Sequence, residues 1–205
     1  MERKIMEIVY RVYNNLYVNL TNRCPYSCTF CLRQTRDQMG ESGRLWLEHE
    51  PDFDEVVEAF QKFDVEQFDE IVFCGFGEPT EAFDMLLKVA KYVKETYGKP
   101  IRINTNGMGN LINKRNIVPE MKGLIDTVSI SLNNPHKEAY LALVRSKFGE
   151  VSFDEMIAFA KACVECIPKV VLTTVDTTIS KEDEEECRKL CEEIGAVYRI
   201  RPWEG

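Results

Sequence analysis

Three cysteines fall within eight residues, in the stretch Cys24-Pro25-Tyr26-Ser27-Cys28-Thr29-Phe30-Cys31. A strand-like run, Leu16-Tyr17-Val18-Asn19-Leu20, leads directly into them. Thiolates are soft ligands, and clustered cysteines suit zinc or iron–sulfur. A structural zinc site wants four protein ligands in a closed tetrahedron. This loop supplies three, and the next cysteine along the chain is Cys74. A [4Fe–4S] cubane held by three thiolates would leave one iron open to something that is not protein. A closed site holds a fold together, whereas an open one does chemistry. The plain alternative is three unrelated buried cysteines, which are common in cores. Pro25 and the interleaved polar residues argue against it.

A second stretch able to do chemistry is Gly75-Phe76-Gly77-Glu78-Pro79-Thr80, which follows the apolar run Ile71-Val72-Phe73. Its glycines permit close backbone approach to a ligand. Glu78 places a carboxylate beside a rigid proline, a combination suited to an ammonium group. A β-to-α turn whose glutamate caps the next helix would use the same residues.

The elements that must position these stretches follow from periodicity. Residues Glu7–Leu20 read as two short strands around Asn14-Asn15, a hairpin-like N-terminal extension. Arg33–Pro51 has no clean period and reads as a long loop, and long loops inside compact domains are often functional. From Asp52 onward strand and helix patterns alternate. Helices are expected over Phe53–Phe63, Glu81–Tyr97, Arg115–Gly123, Pro135–Arg145, Phe153–Cys166 and Lys181–Ile194. Strands are expected over Ile71–Phe73, Ile101–Asn104, Thr127–Leu132, Val170–Val175 and Val197–Ile200. About six strand–helix units imply a parallel sheet. A full eight-unit barrel takes about 250 residues, so six units in 205 residues predict a partial (β/α)6 TIM-type barrel, open on one side. An open doubly wound sheet would show much the same alternation. In barrels, chemistry gathers where strands end. Every unusual segment falls there: the cysteine loop, Gly75–Thr80, Thr105–Gly107, Ser131–Asn134 and Asp176–Thr178.

Bulk properties narrow the class. The chain carries 26 basic and 34 acidic residues, a net charge of −8. That argues against a broad footprint for nucleic acid or an acidic membrane, though not against a local basic pocket. No apolar run approaches a membrane span, and Met1–Lys4 does not open a signal peptide. Eight cysteines without a secretory signal point to a reducing cytoplasm. No linker or low-complexity segment divides the chain, so residues 1–205 read as one domain.

Taken together, these motifs resemble the signature of the radical SAM superfamily. The features that carry the resemblance are a Cys-x3-Cys-x2-Cys loop after a strand with Phe30 before the last cysteine, and the Gly75–Pro79 turn. Thr105-Asn106-Gly107 and Ser129-Ile130-Ser131-Leu132 resemble further superfamily elements. Phe76 separates two glycines that are often adjacent in that turn. The chain also resembles the small radical SAM proteins associated with TatD-family hydrolases, through Tyr13–Cys24 and Gly75–Thr80.

The resemblance implies that Cys24, Cys28 and Cys31 bind a [4Fe–4S] cluster and that S-adenosylmethionine chelates the fourth iron. It implies that Gly75, Gly77 and Glu78 orient the methionyl ammonium. Thr105, Asn106, Ser131 and Asn133 would reach the ribose or carboxylate, with Phe30 and the backbone of Tyr198–Arg201 near the adenine. The implied function is reductive cleavage of S-adenosylmethionine to a 5′-deoxyadenosyl radical that abstracts hydrogen from a substrate. The electron would come from an external donor of flavodoxin or ferredoxin type, and a TatD-type hydrolase is the implied functional associate. The competing readings are a non-catalytic iron–sulfur electron-transfer protein and an activase of a partner protein. Cys163, Cys166, Cys187 and Cys191 sit at helical spacings and read as core, as Cys74 does in its strand; His49 and His136 read as surface. Arg33, Arg36 and Trp46 lie near the cysteine loop in sequence and are candidates for substrate contact.

Overall fold

The structure, a computed structural model, describes residues 6–39 and 42–203; Met1–Lys4 lies outside them. Among the described residues seven strands form one sheet. The hairpin pairs β1 (Val9–Val12) with β2 (Asn15–Val18) antiparallel, and Tyr13 takes a left-handed φ of 51° at its turn. After the loop comes α1 (Phe53–Phe60), opened by a capping box between Asp52 and Glu55 of the kind that satisfies two free N–H groups at once. The alternation continues with β3 (Glu70–Phe73), α2 (Phe83–Tyr97) and β4 (Ile101–Thr105). Two short helices, α3 (Gly109–Asn113) and α4 (Val118–Met121), precede β5 (Thr127–Ser131). Then follow α5 (Lys137–Val144), α6 (Val151–Cys166), β6 (Lys169–Val175), α7 (Lys181–Ile194) and β7 (Val197–Arg201).

From β2 to β7 every neighbouring pair is parallel. Spatial order equals sequence order, so each crossover advances one strand in the same direction. Right-handed crossovers then place all the helices on one face, and the sheet curls toward a barrel. A doubly wound sheet would need a reversal of direction, and none occurs. β1 and β7 do not pair, so the barrel stays open. The expected six parallel strands are present, with β1 added at the edge.

The two faces of the sheet differ sharply. Leu16, Val18, Ile71, Phe73, Ile101, Ile103, Val128, Ile130 and Leu172 are buried on the face that meets helix residues such as Phe60, Leu86, Val89, Met156 and Phe159. Because strand side chains alternate, the register places Tyr17, Val72, Arg102, Asn104, Ser129, Thr173 and Arg199 on the opposite, concave face.

One expected helix differs. In place of Arg115–Gly123 the chain forms α3 and α4. Lys114 is left-handed, with φ 53°, which ends α3, and Pro119 starts α4 afresh. The Asn110 side chain accepts from Ile117 N at 2.9 Å across the break. α3 lies before the expected range and α4 covers only its middle; the left-handed turn at Lys114 between them is one that a lysine's identity does not announce.

Burial on the helix-facing side sets the stability. Ile103→Ala is expected to cost about 2–5 kcal/mol, seen as a lower denaturant midpoint with an unchanged slope, whereas Val197→Ala at the half-exposed edge changes the midpoint by less than about 1 kcal/mol.

Candidate active site

The cysteine loop leaves β2 through Asn19-Leu20-Thr21, all buried. It is then pinned against the end of α5. Ser27 N donates to Val144 O at 3.1 Å, Thr29 N to Leu143 O at 3.0 Å and Lys147 N to Pro25 O at 2.9 Å. Below these bonds the Tyr26 and Tyr140 hydroxyls share a buried hydrogen bond of 2.7 Å. The Arg33 guanidinium donates to three carbonyls, those of Asn22, Tyr26 and Phe76, at 3.3 to 3.5 Å. It clamps the loop to the Gly75–Thr80 turn, which gives this candidate for substrate contact a structural occupation.

Cys24, Cys28 and Cys31 are half-buried and unpaired. Burial pushes the Cys24 thiol up to about 11, with the Glu78 charge adding to the effect. Burial pushes Cys28 up to about 12, reinforced by Cys31 and Cys24. Within the loop Cys31 N donates to Cys28 O at 3.2 Å, which folds the last two cysteines back on one another.

The second stretch is built around Glu78, which is 4% exposed. Its Oε1 accepts from Thr80 N at 3.1 Å, Thr80 Oγ1 at 2.8 Å and Thr105 Oγ1 at 2.7 Å. Its Oε2 accepts from Asn106 N at 2.8 Å. Burial raises its pKa, while these donors pull it back down. The carboxylate thus ties the turn after β3 to the turn after β4, and one acceptor direction on Oε2 remains. Thr80, the donor that sequence reasoning missed, carries two of the four bonds. Its place directly after Glu78-Pro79 was the available signal.

The same turn rests on the cysteine loop. Glu78 N donates to Arg23 O at 2.8 Å. A Cβ on Gly77 would lie 2.2 Å from Thr21 O and 2.7 Å from Arg23 O, and one on Gly75 would lie 2.0 Å from Asn19 Oδ1. The close approach these glycines allow is to the chain itself. It brings the turn against the backbone immediately before Cys24.

Asn106 is buried; its Oδ1 accepts from Met108 N at 2.9 Å, and its Nδ2 lies 4.0 Å from Cys24 Sγ. Thr105 Oγ1 also accepts from Gly107 N at 3.1 Å. Asn133 has φ 62° and a buried Oδ1 without a partner. Ser131 and Phe30 are half-buried, Ser131 at the end of β5 and Phe30 within the cysteine loop. Trp46 packs on Phe76 with ring centroids 5.3 Å apart, in a cluster with Tyr10, Tyr17 and Leu45, so the long loop covers the β1 side of the concave face. Cys163, Cys187 and Cys191 are buried, each pushed up to about 12 by burial. His49 and His136 are exposed beside carboxylates.

The donor set fits an iron–sulfur cluster better than a single ion. Three soft thiolates on one loop suit a cubane, which puts each thiolate on its own iron, whereas a structural zinc site takes four protein ligands. The Asn106 amide beside Cys24 is the kind of N–H donor that tunes cluster sulfurs. The orphaned Asn133 Oδ1 is a buried acceptor waiting for a donor.

The Glu78 bonding generates a sharp expectation. In Glu78→Gln one amide nitrogen must face an N–H or O–H donor, leaving a buried group unmatched. Chemical denaturation is expected to show a loss of about 1–3 kcal/mol, and an unchanged midpoint would contradict the bonding described.

Comparison with known proteins follows the same outline. The probable GTP 3′,8-cyclase of Methanocaldococcus jannaschii is 24% identical over 192 residues, covering 93% of this chain and 59% of its own length. GTP 3′,8-cyclase 2 of Mycobacterium tuberculosis is 29% identical over 197 residues, covering 93% of this chain and 50% of its own. The chain thus spans about half to three-fifths of the length of these curated relatives. Among solved structures, a radical SAM methyltransferase from Sphaerobacter thermophilus superposes with a TM-score of 0.66 at 16% identity, over 96% of this chain and 69% of that one. SuiB of Streptococcus suis bound to S-adenosylmethionine gives 0.61 at 19% identity, over 92% and 38%. The sequence profile described as the Radical SAM superfamily matches residues 18–194, from β2 to the end of α7. With that match over most of its length, the chain belongs to the radical SAM superfamily, whose cofactors are a [4Fe–4S] cluster and S-adenosylmethionine.

Proposed function

We propose that this chain is one radical SAM core domain and acts as a radical S-adenosylmethionine enzyme. The observation that carries the reading is the loop of Cys24, Cys28 and Cys31, three free, half-buried thiols at the rim where the Glu78 turn and Asn106 also gather. When bound, the cluster and S-adenosylmethionine together supply a 5′-deoxyadenosyl radical that takes a hydrogen atom from a substrate.

The chain's own residues prepare that chemistry. Cys24, Cys28 and Cys31 hold the cluster, and the α5 end and Arg33 hold the loop that carries them. The backbone of Gly75–Gly77 and the free acceptor direction of Glu78 receive the methionyl ammonium. Asn106, Ser131 and Asn133 face the ribose or carboxylate, and Thr105 fixes Glu78 in place. Phe30 shields the adenine. The concave face behind them, closed on the β1 side by Trp46 and Phe76, keeps water from the reacting atoms.

An external one-electron donor of flavodoxin or ferredoxin type would reduce the cluster. The eight free cysteines support a reducing, cytoplasmic setting, and no helix among the described residues is long and apolar enough to cross a membrane. The likeness of Tyr13–Cys24 and Gly75–Thr80 to the small TatD-associated members supports functional association with a TatD-type hydrolase.

Anaerobic reconstitution tests the enzyme reading. The protein is expected to take up iron and sulfide in the ratio of one [4Fe–4S] cluster and, once reduced, to form 5′-deoxyadenosine from S-adenosylmethionine. Cys28→Ala is expected to lower cluster content and product below a tenth of wild type, a loss of at least about 1.4 kcal/mol. A loaded protein that binds S-adenosylmethionine without cleaving it would instead be an electron carrier.

A further inference from the structure

In closed barrels the lumen is packed with branched apolar side chains. Here the concave face carries charge. Arg102 on β4 is only 8% exposed and pairs with Glu70 of β3 at 2.7 Å. Arg199 and Arg201 on β7 point to the same face, and Arg199 Nη2 reaches Ser129 Oγ at 3.4 Å. The positive charges of Arg102 and Arg201 both act on the Cys74 thiol, just past the end of β3. The register puts all three arginines on one face of the sheet, Arg102 buried, Arg201 half-buried and Arg199 exposed at the edge strand. Glu70 is the one carboxylate paired with any of them among the described residues, which leaves two positive charges uncompensated in a chain whose net charge is −8.

The hydrogen bonding points the same way. Five buried side-chain atoms lack a partner among the described residues; two of them, Arg102 Nε and Arg201 Nε, are donors on this face, and a third there, Asn104 Oδ1, is an acceptor. Buried donors without acceptors are costly, and two of these are guanidinium N–H groups, which match the oxygens of phosphate or carboxylate. Desolvation and the charges of Arg102 and Arg201 hold Arg199 below the ordinary arginine range, against a smaller opposing pull from Tyr17 and Glu70.

We infer that the concave face binds a substrate bearing a phosphoryl group, held by Arg102, Arg199 and Arg201. The charge selects phosphoryl over a single carboxylate. Two uncompensated positive charges match a phosphate monoester, which carries close to two negative charges above its second pKa of about 6. Calling this ligand a substrate rests on the enzyme reading above; the anion site itself does not.

The site is tested by binding rather than turnover, so its failure is separable from failure to cleave S-adenosylmethionine. Inorganic phosphate, acetate and S-adenosylmethionine are each titrated by calorimetry into cluster-loaded protein at low ionic strength, above pH 7. Phosphate is expected to bind more tightly than acetate. Arg199→Gln and Arg201→Gln, both on the edge strand, are each expected to weaken phosphate by about tenfold, while Lys122→Gln, on the exposed end of α4, leaves it unchanged. Equal affinity for acetate and phosphate would overturn the phosphoryl assignment. Phosphate affinity unchanged in both arginine variants would overturn the site. Loss of S-adenosylmethionine affinity in place of phosphate affinity would assign the arginines to the cofactor's carboxylate and overturn the substrate inference.

Discussion

The buried carboxylate of Glu78 is the constraint on which the rest of the site depends. Taking a carboxylate out of water is expensive unless its oxygens are met by donors. Here four donors from the β3 and β4 turns meet them. The backbone N–H of the same residue fastens to Arg23 O, one position before the first cysteine. One residue thus sets the relative position of three strand-end segments. Gly75 and Gly77 make this possible by removing the side chains that would collide with Asn19 and Thr21. The turn is therefore a joint of the scaffold as well as a wall of the site.

Strand order explains why these segments meet. Sequential parallel strands with crossovers of one hand curl, and their C-terminal ends gather on one rim. Leaving the barrel unclosed removes the need to fill the concave face with apolar side chains. The outer face supplies the main hydrophobic core, and the inner face mixes apolar residues such as Tyr17 and Val72 with polar and charged groups. Segregating the two roles onto opposite faces lets a short chain keep both a packed core and a polar chamber.

Much of this was legible in the sequence, and the reasons are particular. The three cysteines needed only their spacing. The strand–helix alternation gave the parallel sheet, though not the choice between barrel and doubly wound sheet, because periodicity carries no information about spatial order. Glu78 could be picked out as functional, but its fourfold bonding could not, since Thr105 and Asn106 lie 27 and 28 residues away. The break between α3 and α4 hides behind the positive φ of Lys114. The arginines of the concave face do leave a signal in the sequence. Ile101-Arg102-Ile103-Asn104 and Tyr198-Arg199-Ile200-Arg201 alternate apolar with polar, whereas parallel strands covered on both faces read as continuous apolar runs. That alternation marks an inner face that is not packed core.

The central claim is that three cysteine thiolates hold a cluster whose remaining iron is ligated by S-adenosylmethionine. The most direct measurement is electron–nuclear double resonance on the reduced cluster, with S-adenosylmethionine labelled at the methionyl amine nitrogen and carboxylate oxygen. The account predicts hyperfine coupling from both labels, abolished when any one of Cys24, Cys28 or Cys31 is replaced by alanine. A cluster that shows no coupling to either label, with a protein side chain on its fourth iron, would contradict it.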